Sequence, residues 1–286
     1  MNNTTKRQRF RDVLNGDTCV TTGSVFDPIS ARIAEDLGFE VGMFAGSVAS
    51  MTVTGAPDLM GLTLTEFAEQ AYRITRAGNL SLLVDADDGY GNAINVMRTV
   101  TELEAAGVCA MSLEDTVLPP PFGAAGETRL VSRQEGMARM TAALEARNDP
   151  GFVIAGRTSA AEVNDIDDAI ARLKAYVEAG VDAVFPIGID TRDKLEQFAA
   201  QVDAPIILPV KSGELADLRY LERHNVRIAL QAHAPFAAAI QATFDTLKAV
   251  REGKMPSEIE GLANNTLMRQ VTRAEDYDDW MKRFVD

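Results

Sequence analysis

Cysteine is nearly missing. Cys19 and Cys109, the only two in 286 residues, fit neither a disulfide framework nor a thiolate metal site, and a reducing cytoplasm suits them best. Positive charge is short as well: 28 Lys and Arg face 42 Asp and Glu, and the formal charge of −14 repels nucleic-acid phosphates and anionic lipid heads. No nucleic-acid partner and no membrane partner are expected. Long apolar runs are also lacking, since the longest uncharged stretches, 41–57 and 228–244, have 17 residues each, interrupted by Gly, Ser, Thr, Pro, Gln or His. A membrane span needs about 20 mostly apolar residues. The N-terminal stretch MNNTTKRQRFRDVL has basic residues but no apolar core and no small-residue cleavage site, so export is not expected. Low-complexity tracts are missing too, and 46% apolar residues match an ordinary globular chain.

What is present is a recurring pattern. An amphipathic stretch ends near Gly or Asn, and a short apolar or β-branched run follows. Eight such runs stand at 20–25, 41–45, 80–85, 108–114, 152–157, 183–187, 205–210 and 227–232. Their mostly continuous apolar character suits parallel strands covered on both faces, with helices between them. Asp27-Pro28, Thr63-x-x-Glu66 and Ser132-x-x-Glu135 read as helix starts, while Gly38, Gly78, Gly107 and Gly180 read as left-handed helix ends. Eight such units predict an α/β fold, a (β/α)8 TIM barrel forming one domain over 1–286, with a C-terminal helical extension at 255–286 that carries the only tryptophan, Trp280. A doubly wound open sheet is the alternative, and no Gly-x-Gly-x-x-Gly follows the first strand to support it.

In a barrel the chemistry sits where strands exit. The third run continues as Asp85-Ala-Asp87-Asp88-Gly-Tyr-Gly91, and strand alternation places Asp85 and Asp87 on one face. Glu114 leaves the fourth run beside them, sharing a face with Ser112. Three converging acids repel unless a cation or a shifted protonation relieves them. Oxygen-only donors favour Mg²⁺, with Mn²⁺ as the other choice, over zinc. Asp85 is expected to bind the ion directly, and Asp87 and Glu114 through water. Asp88 and Asp115 are read as helix caps. Arg157, ending the fifth run, needs an anion, either a substrate carboxylate or one of these acids. His233, after the eighth run, is a substrate or acid–base candidate or a structural histidine, and His224 an exposed helix-end partner.

Two breaker-rich loops flank these exits. The stretch 52–62 carries Asp58 and suits a lid, and 116–129 follows the fourth run. Gly46, Ser47 and Val48 offer successive N–H groups and a hydroxyl as a carboxylate nest.

Taken together, the Asp85–Gly91 turn, Glu114-Asp115, Arg157, Gly46-Ser47 and Pro57-Asp58 resemble the isocitrate lyase/phosphoenolpyruvate mutase superfamily over nearly the whole chain. The resemblance implies a (β/α)8 barrel, a homotetramer built as a dimer of dimers with the eighth helix exchanged between subunits, and Mg²⁺-assisted enolate chemistry at C3 of a small 2-oxo dicarboxylic acid. It implies that Asp85 ligates the metal, that Asp87 and Glu114 act through water, that Arg157 and Ser47 hold substrate carboxylate, and that Asp58 sits on the gating loop. The 116–126 loop holds neither the Lys-Lys-Cys-Gly-His of the isocitrate lyases nor the lysine and asparagine of phosphonopyruvate-processing members. What remains resembles the oxaloacetate decarboxylase branch, in which His233 contacts substrate. The candidate catalytic residues are therefore Asp58, Arg157 and His233. Lys211 departs from that branch, where an uncharged or aromatic residue is expected. Decarboxylation of oxaloacetate is the expected activity. The other readings are a related 2-oxo-acid lyase or hydrolase and a catalytically idle metabolite-binding barrel.

Overall fold

The computed structural model describes residues 2–124, 126–210 and 213–285. They fall into two compact units, Met1–Ala232 and His233–Asp286. The first opens with α1 (Asn3–Asn15), β1 (Val20–Ser24), α2 (Pro28–Asp36), β2 (Val41–Phe44), a short α3 (Gly46–Ala49) and α4 (Leu64–Thr75). Next come β3 (Ser81–Asp85), α5 (Ala93–Ala105), β4 (Ala110–Glu114), α6 (Arg133–Ala146), β5 (Val153–Thr158), α7 (Ala160–Val163) and α8 (Ile166–Ala179). It closes with β6 (Ala183–Pro186), α9 (Arg192–Ala199), β7 (Ile206–Pro209), α10 (Leu218–Arg223) and β8 (Val226–Leu230). The strands pair in parallel in chain order, and β8 returns to β1 to close the barrel. All eight expected runs become strands, with ends within two residues of those read from the apolar pattern.

The strands are buried on both faces, as helices outside and packed side chains inside require. Phe67 of α4 stacks on Phe44 of β2 at 5.2 Å, and both are fully buried. Burial of a side chain that size contributes roughly 1.5–3 kcal/mol.

The helix starts behave as read, with one reduction. Asp27 and Ser30 form a reciprocal box with Pro28 at the first helical position, and Thr63 and Glu66 form another. Ser132 accepts from the Glu135 amide, but the Glu135 carboxylate turns to Arg139 at 3.0 Å. Gly38, Gly107 and Gly180 end their helices at φ of 83°, 82° and 108°. Gly78 does not adopt that conformation. It is small for a different reason: a Cβ there would lie 1.9 Å from a Glu35 carboxylate oxygen, which approaches to accept from the Asn79 amide at 2.9 Å.

Helix α1, unforeseen in so polar a stretch, lays its cations under the N-terminal ends of the strands. Lys6 donates to the Thr75 carbonyl at 2.7 Å, Arg7 to the Val108 and Glu104 carbonyls and to Asp149, and Arg11 to Asp182 at 2.9 Å. Lys6 and Arg7 are buried, with Phe10 and Leu14 on the same helix.

The second unit holds α11 (Ala234–Arg251), α12 (Asn265–Thr272) and α13 (Ala274–Phe284). The eighth helix of the pattern, α11, thus groups with the extension. None of its residues is buried, and Ile240, Phe244, Leu247 and Val250 form an exposed stripe at helical spacing. Arg269 pairs with Asp278 at 2.6 Å between α12 and α13, and Trp280 meets the Tyr277 ring edge-on at 5.0 Å. Among the described residues no helix is long and apolar enough to cross a membrane.

Candidate active site

Strand β3 stops at Asp85, so the two-residue alternation that would aim Asp87 alongside it stops there too. Asp87 joins the site by another route. Its backbone is left-handed, φ 48°, its amide donates to Asp85 Oδ1 at 3.3 Å, and its carbonyl accepts from the Glu114 amide at 2.8 Å. Gly46 makes room for the side chain: a Cβ at 46 would stand 3.0 Å from Asp87 Oδ1. Asp87 is followed by three more left-handed residues, Gly89, Tyr90 and Gly91, at φ 83°, 64° and 141°.

Glu114 ends β4, and Arg157 comes from β5, whose register pairs 157 with 114. The Arg157 Nη1 donates to Asp85 Oδ2 at 2.5 Å, and its Nε lies 3.0 Å from Glu114 Oε2. Of the two partners read for Arg157, the structure displays the acids. The guanidinium also lies over the Phe185 ring, 5.2 Å from its centroid. The Ser112 hydroxyl donates to Asp85 Oδ1 at 3.2 Å.

Among the described residues, acidic groups outnumber basic ones here. Burial pushes the Asp87 carboxyl up to about 9, helped by Asp85, Asp58 and Glu114 and opposed by Arg157. Burial also raises Glu114 to about 7, with Asp85 adding and Arg157 and the Thr116 hydroxyl opposing. Burial works against the Arg157 charge, yet Asp85 and Glu114 outweigh it and hold the guanidinium firmly protonated. The Tyr90 phenol is raised by burial and then by Asp87, Asp85 and Asp58. Asp58 lies in an exposed stretch, yet partial desolvation of its carboxyl, together with Asp85, raises it against Arg157.

The structure therefore brings Asp58, Asp85, Asp87, Glu114 and Arg157 together. Gly46 and Val48 are buried and Ser47 half-buried in α3, which runs into a π-turn at Ser50–Thr54, so the stretch read as a loop from 52 begins as helix. His233 opens the second unit as the residue before α11; it is half-buried and makes no cap hydrogen bond there. Lys211 lies outside the described residues.

Several readings change. Asp88 and Asp115 do not cap helices, because Asn92 and Ser132 do so. Asp88 pairs with buried Arg139, and Asp115 Oδ2 accepts from Thr158, Arg172 and Tyr176 at 2.8–3.0 Å. His224 is half-buried rather than exposed, its Nδ1 2.8 Å from the Tyr220 carbonyl and its ring against the Tyr220 ring. Phe185 under the guanidinium escaped notice, since an aromatic inside an apolar strand reads as core.

Acids gathered where the strands of a closed parallel barrel end, with Arg157 among them, mark a barrel enzyme's mouth built for a small polar ligand. The phosphoenolpyruvate phosphomutase family model matches residues 10–251, and the chain belongs to that family. The chain is 54% identical over 269 residues to an oxaloacetate decarboxylase of Rhodopseudomonas palustris (strain BisB18), covering 94% of this chain and 93% of that one. Among solved structures it resembles a phosphoenolpyruvate phosphomutase from Streptomyces platensis subsp. rosaceus, with a TM-score of 0.87, 28% identity and 98% and 99% of the two chains covered. It also resembles a phosphonopyruvate hydrolase in complex with oxalate and Mg²⁺, with a TM-score of 0.86, 25% identity and 100% of both chains covered.

Proposed function

We propose that this chain decarboxylates oxaloacetate to pyruvate and CO₂ with Mg²⁺, or Mn²⁺ in its place, held at the barrel mouth. One observation carries the reading: among the described residues four carboxyl groups, those of Asp58, Asp85, Asp87 and Glu114, share a single guanidinium, so they are short of positive charge. The donor set fits a hard cation, being all oxygen, with Glu114 buried and Asp85 and Asp87 half-buried. Among the described residues no three Asp, Glu, His or Cys side chains are placed so that together they could hold a metal ion. In this reading Asp85 is the one direct ligand and Asp87 and Glu114 act through water, since Mg²⁺ keeps much of its hydration. The decarboxylase relative, 54% identical, supports the substrate.

When bound, the cation would supply a Lewis acid that stabilises the negative charge the 2-oxo oxygen takes up as CO₂ departs. Arg157 and Ser47 hold and orient the carboxylate that stays, Asp58 guards the rim, and His233 meets substrate and assists the proton that replaces CO₂. Decarboxylation needs no base to open a hydroxyl, which suits a 116–126 stretch without Cys or Lys. The apolar stripe on α11 supports burial against a second subunit and a homotetramer. The buried free thiols of Cys19 and Cys109 support a cytoplasmic setting.

The test is product analysis by NMR after incubation with Mg²⁺ and oxaloacetate. Pyruvate with CO₂ is expected above the uncatalysed rate. Oxalate with acetate, or no turnover of a protein that still binds the acid, would reject the reading.

A further inference from the structure

Among the described residues Arg7, Arg139 and Arg172 are buried and Arg157 is half-buried, and Arg139, like Arg157, leaves its Nε without an acceptor. Arg7 sends Nε, Nη1 and Nη2 to the Val108 carbonyl, Asp149 and the Glu104 carbonyl, and Arg172 sends Nε to Asp168 and Nη1 to Asp115 and the Val131 carbonyl. Their donors are committed. Arg157 differs: it makes one directed hydrogen bond, from Nη1 to Asp85 Oδ2, while its Nε comes within 3.0 Å of Glu114 without aiming its hydrogen there. Its flat face rests on Phe185, a contact that tolerates sliding. Both oxygens of Asp85 are engaged meanwhile, Oδ2 by Arg157 and Oδ1 by the Ser112 hydroxyl and the Asp87 amide.

We infer that Arg157 is the resident counter-ion of this cluster, and that its guanidinium must release Asp85 for a divalent cation to bind there. The inference rests on the metal reading given under Proposed function. Two cations cannot share Oδ2 without strong mutual repulsion at this range. An arriving substrate carboxylate draws the guanidinium away from Asp85 and so strengthens the hold on the metal, and by linkage the metal strengthens the hold on the substrate to the same degree. Arg157 thereby couples the two binding events before any chemistry occurs.

The coupling is read from Mn²⁺ uptake, followed by the EPR signal of the free ion, with and without oxalate and with no turnover involved. Wild type is expected to bind Mn²⁺ weakly alone and more tightly with oxalate. Arg157→Met, which keeps an aliphatic chain on Phe185, should bind Mn²⁺ alone about tenfold more tightly than wild type and lose most of the oxalate enhancement. Arg157→Gln serves as the second neutral variant, and circular dichroism checks both folds. A folded neutral variant whose affinity for Mn²⁺ alone equals or falls below that of wild type overturns the inference and leaves the metal reading standing. Wild type that takes up no Mn²⁺ even with oxalate overturns both.

Discussion

At the N-terminal ends of the strands, Arg7 meets Asp149, Arg11 and Arg147 meet Asp182, and Lys6 meets carbonyls of the chain turning into β3. At the C-terminal ends, among the described residues, four carboxyl groups crowd around Arg157 alone. Both ends are rich in charge, and both place guanidinium groups beside Asp. They differ in closure. The lower end spends its cationic donors on fixed carboxylate and carbonyl acceptors, which suits a floor that keeps water out. The upper end leaves negative charge unanswered, which costs stability and is tolerable where a ligand completes it. The difference separates structural ion pairs from those of a site better than burial does, because Arg7 and Arg157 are both well covered.

That contrast can be broken at four points, taken from the largest expected effect down. Asp85→Ala should lower metal-dependent decarboxylation by about a thousandfold or more while the fold persists. Near-normal steady-state rates in that variant would remove Asp85 from the site. Gly46→Ala pushes a methyl group toward the Asp87 carboxylate, and activity should fall roughly 10–100-fold with the melting temperature almost unmoved. Full activity would mean that Asp87 can move aside freely. At the floor the pattern should invert. Arg7→Ala leaves Asp149 and two carbonyls without their partner, for a loss of about 3 kcal/mol and a melting temperature lower by roughly 10 °C, with kcat per folded molecule unchanged. A kcat defect there would join the two ends.

The smallest effect depends on acidity. Hydrogen bonds from Arg7 and the Gly151 amide hold the Asp149 carboxyl below its ordinary value, overcoming the burial that would raise it. A depressed carboxyl adds stability above its unfolded pKa of about 4 and loses it as pH falls through the folded value. Asp149→Asn should therefore cost one or two degrees of melting temperature at pH 7, roughly, since solvent screens the pair, and the gap to wild type should close on acidification. A gap that persists in acid would assign the effect to packing.

The barrel was legible because its signals are local and redundant: each strand is an apolar run, and most have a cap or glycine nearby. The mouth was legible only in part. Strand alternation was the rule used to set Asp87 beside Asp85, yet that rule does not reach it, since β3 ends two residues earlier and the backbone at Asp87 is left-handed. Asp88 and Asp115 looked like caps because their partners, Arg139, Arg172 and Tyr176, lie 51 to 61 residues away. Helix α1 escaped for a related reason: Lys6, Arg7 and Arg11 resemble a solvated basic stretch until the carbonyls they serve are in view. Gly78 shows one residue type answering two different demands, and only the position of Glu35 tells them apart.

The bend from 87 to 91 reaches beyond this one reaction. Two of its side-chain-bearing residues sit at positive φ, an arrangement most amino acids resist, and Gly89 has Val96 and Leu113 pressed against the place a Cβ would take. Random variation there will mostly yield unfolded chains, so a designer seeking new specificity should randomise the rim segments and hold this stretch constant.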